Sequence, residues 1–189
     1  MGKGTDVKLL KEIRFPHSLG LLYSAFTAFL GFEVNEGEYK VMGMAPFGQP
    51  KYADKVYKLI RVAKDSSFEL DMDFFSFHYS PEETFNGKFI DLFGPPRDPK
   101  ALFFTPDTAY PSYFGDKPAN YNQLGKENQH YADIAASIQT VTEEVLLAMA
   151  RQIHKEFGVK RLCMLAFDAA NIAHCQANYR TITVIANIR

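Results

Sequence analysis

Large apolar side chains at Leu19, Leu22, Tyr23, Phe26, Phe29 and Leu30 recur at spacings of three and four, which predicts a helix with one broad apolar face. Ser18 is positioned to cap its start and Gly31 falls where a helix stops. Pro16 pushes the residue before it toward extended backbone, so the apolar run from Val7 to Phe15 reads as a strand ending at Phe15. Between Lys51 and Lys64, Tyr52, Val56, Leu59, Ile60 and Ala63 share one face and predict an amphipathic helix with solvated lysines opposite. Phe68 to Leu70 and Phe74 to Tyr79, separated by Asp71 and Asp73, suggest a hairpin, and Glu82 to Phe93 a further helix stopped at Gly94-Pro95-Pro96.

The second half carries the strongest periodicity. Ile134, Ile138, Val141, Val145, Met149 and Ile153 form a stripe at steps of three and four, predicting a long helix capped by Asn128, with Asp133 near its positive end and Gly158 as its close. Arg161 to Ala166 and Thr181 to Ile188 read as two last strands. Between positions 94 and 130, Pro95, Pro96, Pro99, Pro106, Pro111 and Pro118 interleave with Tyr110, Tyr113, Phe114 and Tyr121, the pattern of an extended loop with aromatic anchors. Glu143 and Glu144 are adjacent on a helix and point about 100° apart, which argues against a paired-carboxylate acid/base site.

Composition narrows the classes. At 189 residues, 47% hydrophobic with 17 Phe and 10 Tyr, the chain suits one domain or a large piece of one, not a disordered segment. A net charge of -1 provides no overall field for nucleic acid. Apolar runs stay well short of the roughly 20 residues that span a bilayer, and no basic segment followed by an apolar block opens the chain, so a cytoplasmic protein is the expectation. Cys163 and Cys175 suit reduced thiols better than a disulfide framework. His17, His78, His130, His154 and His174 are scattered, with no pair at ligand spacing, and no self-contained metal site is expected. Phosphate-loop, dinucleotide and serine-hydrolase signatures do not occur.

Candidate chemistry concentrates between His17 and Gly48. Gly37, Gly43 and Gly48 bracket Glu38 and Lys40 and let backbone bend or lie against a ligand. Lys40 suits a phosphate or carboxylate and Glu38 a hydroxyl; the plain alternative is a loop ion pair or solvated charges. His17 is placed to donate to an anion at the helix start, or simply to satisfy nearby backbone.

The runs His17-Ser18-Leu19-Gly20, Tyr23-Ser24, Thr27 and Leu30-Gly31-Phe32, followed by Gly37-Glu38-Tyr39-Lys40, Met42-Gly43, Ala45 and Gly48, resemble the carbamoyltransferase family, the nodulation-type and antibiotic-modifying O-carbamoyltransferases. Tyr131 to Val145 is similar to the family's central helix, and the resemblance extends to about Leu165. It implies an α/β fold, part of an actin-like ATPase domain, as a single incomplete domain over residues 1–189 with an extended loop at 94–130 and a diverged end at 166–189. In that family a carbamoyl group passes to a hydroxyl through a carbamoyl-adenylate made from ATP and carbamoyl phosphate, with a divalent metal. The family's metal-binding histidine motif and aspartate are expected ahead of and beyond this stretch, so this chain is expected to hold no cofactor itself and to be inactive alone. The family's glycine-glycine turn, of the form AGGVALNCVANGR, is replaced by Ala166-Phe167-Asp168-Ala169-Ala170-Asn171, which adds bulk and negative charge where bare amides would meet a nucleotide; Cys175 to Arg180 is similar to CVANGR at an offset. The other expectation is a non-catalytic module that forms a homodimer or recruits a partner through a sheet edge and the aromatic loop.

Overall fold

The computed structural model describes residues 2–3, 5–80, 82–108, 110–158, 161–165 and 183–187. Its centre is helix α1 (Leu19–Phe29), capped by the Ser18 hydroxyl, which accepts the Leu21 N–H at 3.3 Å. Leu19, Leu22, Tyr23, Phe26 and Phe29 are all buried as the spacing predicts, but so are Gly20, Ser24, Ala25 and Thr27. The helix is enclosed over most of its circumference, with only Leu21 and Ala28 half-buried, because the long helix α5 (Tyr121–Phe157) and α2 (Glu38–Met44) both pack against it, while α4 (Gly87–Phe93) closes it with aromatic rings. Phe26 meets Phe89 and Phe93 edge-on at 5.0 and 5.1 Å, and Phe29 reaches Phe85 and Phe89 at 5.7 and 5.4 Å. Such tilted and edge-on pairs add about 0.5–1.5 kcal/mol each beyond their buried area.

A four-stranded sheet, in the order β2 (Asp6–Val7), β1 (Gly2–Lys3), β6 (Thr183–Asn187), β5 (Arg161–Leu165), joins the two chain ends. β1 lies parallel to β6, and the other two pairs are antiparallel. The last two predicted strands are therefore present at the backbone level. Residues 166–182, including the Ala166 to Asn171 substitution and the Cys175 to Arg180 run, lie outside the described residues.

Several elements differ from expectation. The strand predicted from Val7 to Phe15 is limited to Asp6–Val7, and Leu9 stands 68% exposed. Its charges seek one another instead of a ladder: Arg14 pairs with Glu12, and Lys11 reaches Glu156 on the last turns of α5 at 3.0 Å. The helix predicted over 51–64 shrinks to α3 (Ala53–Val56), after which β3 (Ile60–Val62) pairs antiparallel with β4 (Phe68–Leu70). Ile60 and Val62 are β-branched and alternate with Arg61, a period of two that the helical spacing of Val56, Leu59 and Ile60 conceals. β4 is thus used up, and Phe75 bridges to Phe85 in place of the expected hairpin. Helix α4 starts at Gly87, not Glu82, because Asn86 caps it by accepting the Lys88 N–H at 3.0 Å. The loop predicted for 94–130 ends at Asn120; Asn128 is no cap but lies buried inside α5 and donates to the Leu102 carbonyl at 3.0 Å.

Over its 37 residues helix α5 spans about 55 Å. Ile134, Ile138, Val141 and Val145 are buried as the stripe predicts, and Gly158 ends it in the left-handed conformation. Ala132, Ala135 and Ala136 leave a shallow strip along it, and the segment after α2 lies in that strip. A Cβ built on Gly48 would sit 2.0 Å from the Ala132 carbonyl oxygen. Asp133, displaced from the predicted helix start, accepts the Gln49 N–H at 2.8 Å and the Lys51 ammonium at 2.7 Å, and Ser137 accepts the Tyr52 N–H at 2.9 Å. Burial alone would push the Asp133 carboxyl up; Lys51, the Gln49 amide and Gln129 outweigh it and hold the pKa below its ordinary value.

Gly48→Ala is therefore expected to abolish cooperative folding or lower stability by several kcal/mol, because backbone is not free to give way. Gly43→Ala, in α2 with nothing within 4 Å of its Cβ, should stabilise by about 0.5–1 kcal/mol; urea denaturation of the two variants checks the contrast. The depressed Asp133 pKa adds stability that is complete above the unfolded value near 4 and is lost as pH falls through the lower folded value. Denaturation midpoints measured from pH 6 downward should fall more shallowly in Asp133→Asn than in the parent below about pH 4.

Candidate functional site

Glu38 enters α2 at its first residue and is 3% exposed. Its Oε1 accepts the Asn35 N–H at 2.9 Å and the Ser24 hydroxyl at 3.2 Å. A carboxylate in the first turn also faces the positive end of the helix. The side chain thus ties the turn before α2 to the middle of α1. Beside it, burial first, and then the Glu38 and Glu143 carboxylates, push the Tyr23 phenol above its ordinary range. It remains a donor to Gln139 Oε1 at 3.0 Å, with Gln139 in turn donating to Glu143 at 2.6 Å. Motif residues thus link α1 to α2 through Glu38, and α1 to the middle of α5 through Tyr23 and Gln139, the second set of contacts running out to the exposed Glu143.

Lys40, two residues on, is exposed, and its ammonium stands 5.8 Å from the ring centres of both Phe32 and Tyr39. The Phe32 ring also lies 5.6 Å from the guanidinium carbon of Arg97. Arg97 is 5% exposed and reaches in from the proline-rich loop: its N–H donates to the Phe29 carbonyl at 2.9 Å, and its guanidinium donates to the Leu30 and Ala101 carbonyls. Those first two carbonyls end α1, where the helix presents partial negative charge. Gly31, at φ 77, makes the approach possible, because a Cβ there would lie 2.8 Å from the Arg97 carbonyl oxygen. Phe103 flanks the guanidinium at 6.0 Å and leads to Phe47, itself 47% exposed. The sequence singles out Lys40 but misses Arg97; its one signal is that it is the sole arginine between positions 94 and 120.

His17 is not gathered into this cluster. Its Nδ1 accepts the Leu70 N–H at 3.1 Å, binding the start of α1 to the edge of β4. His130 is equally occupied: its Nε2 faces the Phe93 carbonyl at 2.9 Å and so carries the proton, leaving Nδ1 to accept from the Tyr52 hydroxyl at 2.8 Å. Among the described residues no group of three or more His, Cys, Asp or Glu side chains is arranged to hold a metal ion. These residues do not fit the divalent metal that the family resemblance implies. No helix among the described residues is long and apolar enough to cross a membrane.

Glu38→Ala leaves the Asn35 N–H and Ser24 hydroxyl in a buried site without their shared acceptor, and is expected to destabilise by about 1–3 kcal/mol in chemical denaturation. Glu38→Gln keeps an acceptor oxygen and should lose less than about half of that.

The chain matches the family model described as carbamoyltransferase N-terminus over residues 1–184. It is 41% identical over 182 residues to the uncharacterized protein sll1178 of Synechocystis sp. (strain ATCC 27184 / PCC 6803 / Kazusa), covering 96% of this chain and 25% of that protein. It is 25% identical over 181 residues to the nodulation protein NolNO of Sinorhizobium fredii (strain NBRC 101917 / NGR234), covering 94% of this chain and 21% of that one. The nodulation protein NolO of Bradyrhizobium diazoefficiens is 25% identical over 180 residues, covering 94% and 26%. The chain thus spans about a quarter of the length of these relatives. With the family's model, described as carbamoyltransferase N-terminus, covering nearly all of it, the chain belongs to the carbamoyltransferase family.

Proposed function

We propose that this chain is the scaffold portion of an O-carbamoyltransferase, which moves a carbamoyl group to an acceptor hydroxyl by way of a carbamoyl-adenylate made from ATP and carbamoyl phosphate. On this reading the α/β framework is part of an actin-like ATPase domain, works in the cytoplasm, and is catalytically silent by itself. The metal and adenylate chemistry belong to regions of the longer family members outside the stretch that this chain matches. Glu38 serves by fixing α2 against α1, which holds Lys40 at the surface. His17 serves by fixing the start of α1.

The observation that carries the reading is the family match over residues 1–184. The same motif residues that resemble the family build the contacts of α1, α2 and α5, so the scaffold and the family signature coincide. An assembly module is the second reading, favoured by the exposure of Phe47, Leu102 and Tyr113 at 47%, 42% and 81%.

Two measurements separate them. Carbamoyl phosphate, used well above its dissociation constant, is expected to raise the melting temperature more than inorganic phosphate does; at a hundred-fold excess over that constant the gain is about 2.7 kcal/mol. No pyrophosphate should be released from ATP and carbamoyl phosphate with this chain alone. Pyrophosphate release would sink the silent-scaffold reading. Absence of any shift with carbamoyl phosphate or ATP, together with a concentration-dependent dimer in sedimentation, would replace it with the assembly module.

A further inference from the structure

Asn86-Gly87 is the one Asn-Gly pair in the chain, and it stands at a joint. The Asn86 N–H donates to the Phe74 carbonyl at 3.2 Å, beside the bridge between Phe75 and Phe85. Its side-chain amide is engaged at both ends: Oδ1 accepts the Lys88 N–H at 3.0 Å, and Nδ2 donates to the Asp73 carbonyl at 2.9 Å. One asparagine therefore ties α4 to the segment from Asp73 to Phe75, and α4 carries Phe89 and Phe93 onto the rings of Phe26 and Phe29. Gly87 has no steric reason to be glycine. It is exposed, nothing lies within 4 Å of the place its Cβ would take, and glycine weakens a helix relative to alanine.

An asparagine followed by glycine carries its own reaction. The Gly87 backbone nitrogen, on losing its proton, attacks Asn86 Cγ; a C–N bond forms, the side-chain nitrogen leaves as ammonia, and a cyclic imide closes. Water then opens the ring at either carbonyl, giving aspartate or isoaspartate, in which the chain runs on through the side-chain carboxyl carbon. Nothing is oxidised or reduced, and water is the only co-reactant. Glycine favours the closure because no Cβ crowds the attacking nitrogen. We propose that Asn86 is a self-modification site that is closed while α4 is docked and reacts when α4 opens. With its amide held by Lys88 and Asp73 and Gly87 committed to helical backbone, Cγ cannot turn its face to the Gly87 nitrogen. Local opening without global unfolding frees it. Isoaspartate lengthens the backbone between the Phe74 contact and the start of α4, and its carboxylate has no N–H for the Asp73 carbonyl. The reaction thus marks, irreversibly, the chains in which α4 has left α1.

The test is incubation of the chain in mildly alkaline buffer with and without guanidinium chloride, followed by tryptic digestion, chromatographic separation of the aspartate and isoaspartate forms, and mass spectrometry of the fragment that holds Asn86. Modification is expected to be at least about ten-fold slower in native buffer than in denaturant, a factor set by the fraction of molecules with α4 open. Gly87→Ala has room for its methyl group, so it should fold as the parent does yet lose most of the product in denaturant. Phe93→Leu gives up ring contacts with Phe26 and Phe29 at the far end of α4 from Asn86. Its rate in native buffer should rise several-fold, with native circular dichroism retained and the rate in denaturant unchanged. Equal rates with and without denaturant, or a native rate that Phe93→Leu leaves unaltered, overturn the gating by α4. Absence of product at Asn86 in denaturant overturns the site itself.

Discussion

The turn after α2 lies on the carbonyl of Ala132 at Gly48, where among the described glycines an added Cβ would meet its nearest neighbour, so that only a residue without a side chain can occupy the point. Everything that places α2 depends on that approach. Once Gly48 is against the helix, the next residues fall within reach of Asp133 and Ser137, and three successive contacts follow, from Gln49, Lys51 and Tyr52. A buried aspartate would be a liability on a bare helix. Here its oxygens are occupied by an amide, an ammonium and the Gln129 side chain, so the desolvation of the carboxylate is offset at the site where it arises. The far end of α2 is held in the same manner by Glu38, whose partners come from α1 and from the preceding turn. A seven-residue helix is too short to persist alone. It persists because both ends are fixed to longer neighbours.

A second constraint explains the abundance of phenylalanine. α1 is buried around most of its circumference, so a one-sided apolar stripe is not enough, and α4 and the bridge at Phe75 supply interlocking rings around Phe26 and Phe29. The proline-rich segment completes the enclosure. Its backbone is anchored by Arg97 to the carbonyls that end α1, and its aromatic residues stack upon the first turn of α5, with Phe104 and Tyr121 parallel at 4.7 Å. Proline limits the conformations available to such a segment before folding, which reduces the entropy lost when it is laid down.

The elements legible in the sequence are those whose signal is long or chemically specific. The stripe from Ile134 to Val145, the Ser18 cap, the Gly158 stop and the last two strands all have such signals, and all are present. The failures share a cause. Val56, Leu59 and Ile60 fit a helix and a helix-then-strand equally well, and only the pairing of Ile60–Val62 with Phe68–Leu70 decides between them. Asn128 resembles a cap because caps are recognised by residue type, yet its side chain is committed to a carbonyl of a loop 26 residues earlier. At the candidate site the sequence draws attention to Glu38 and Lys40, but spacing cannot show that one is buried and the other exposed. Still less can it show that Arg97, more than fifty residues away, shares an aromatic ring with Lys40.

That division of labour between Glu38 and Lys40 follows from helix geometry. Residues two apart on a helix lie about 200° apart around its axis, so a segment that buries the first must present the second to solvent. Fixing Glu38 inward through Asn35 and Ser24 therefore sets the direction of Lys40 without any contact to Lys40 itself. The Gly48 approach and the Asp133 contacts set the opposite end and remove the freedom of α2 to rotate. A lysine on a mobile loop would spread its charge over many positions. On this clamped helix, with Phe32 and Tyr39 beside it and Arg97 held beyond the first ring, the charge is confined to one side of one aromatic group. Within the motif, the buried carboxylate of Glu38 and the close packing of Gly48 thus fix the direction of a cation that neither of them touches.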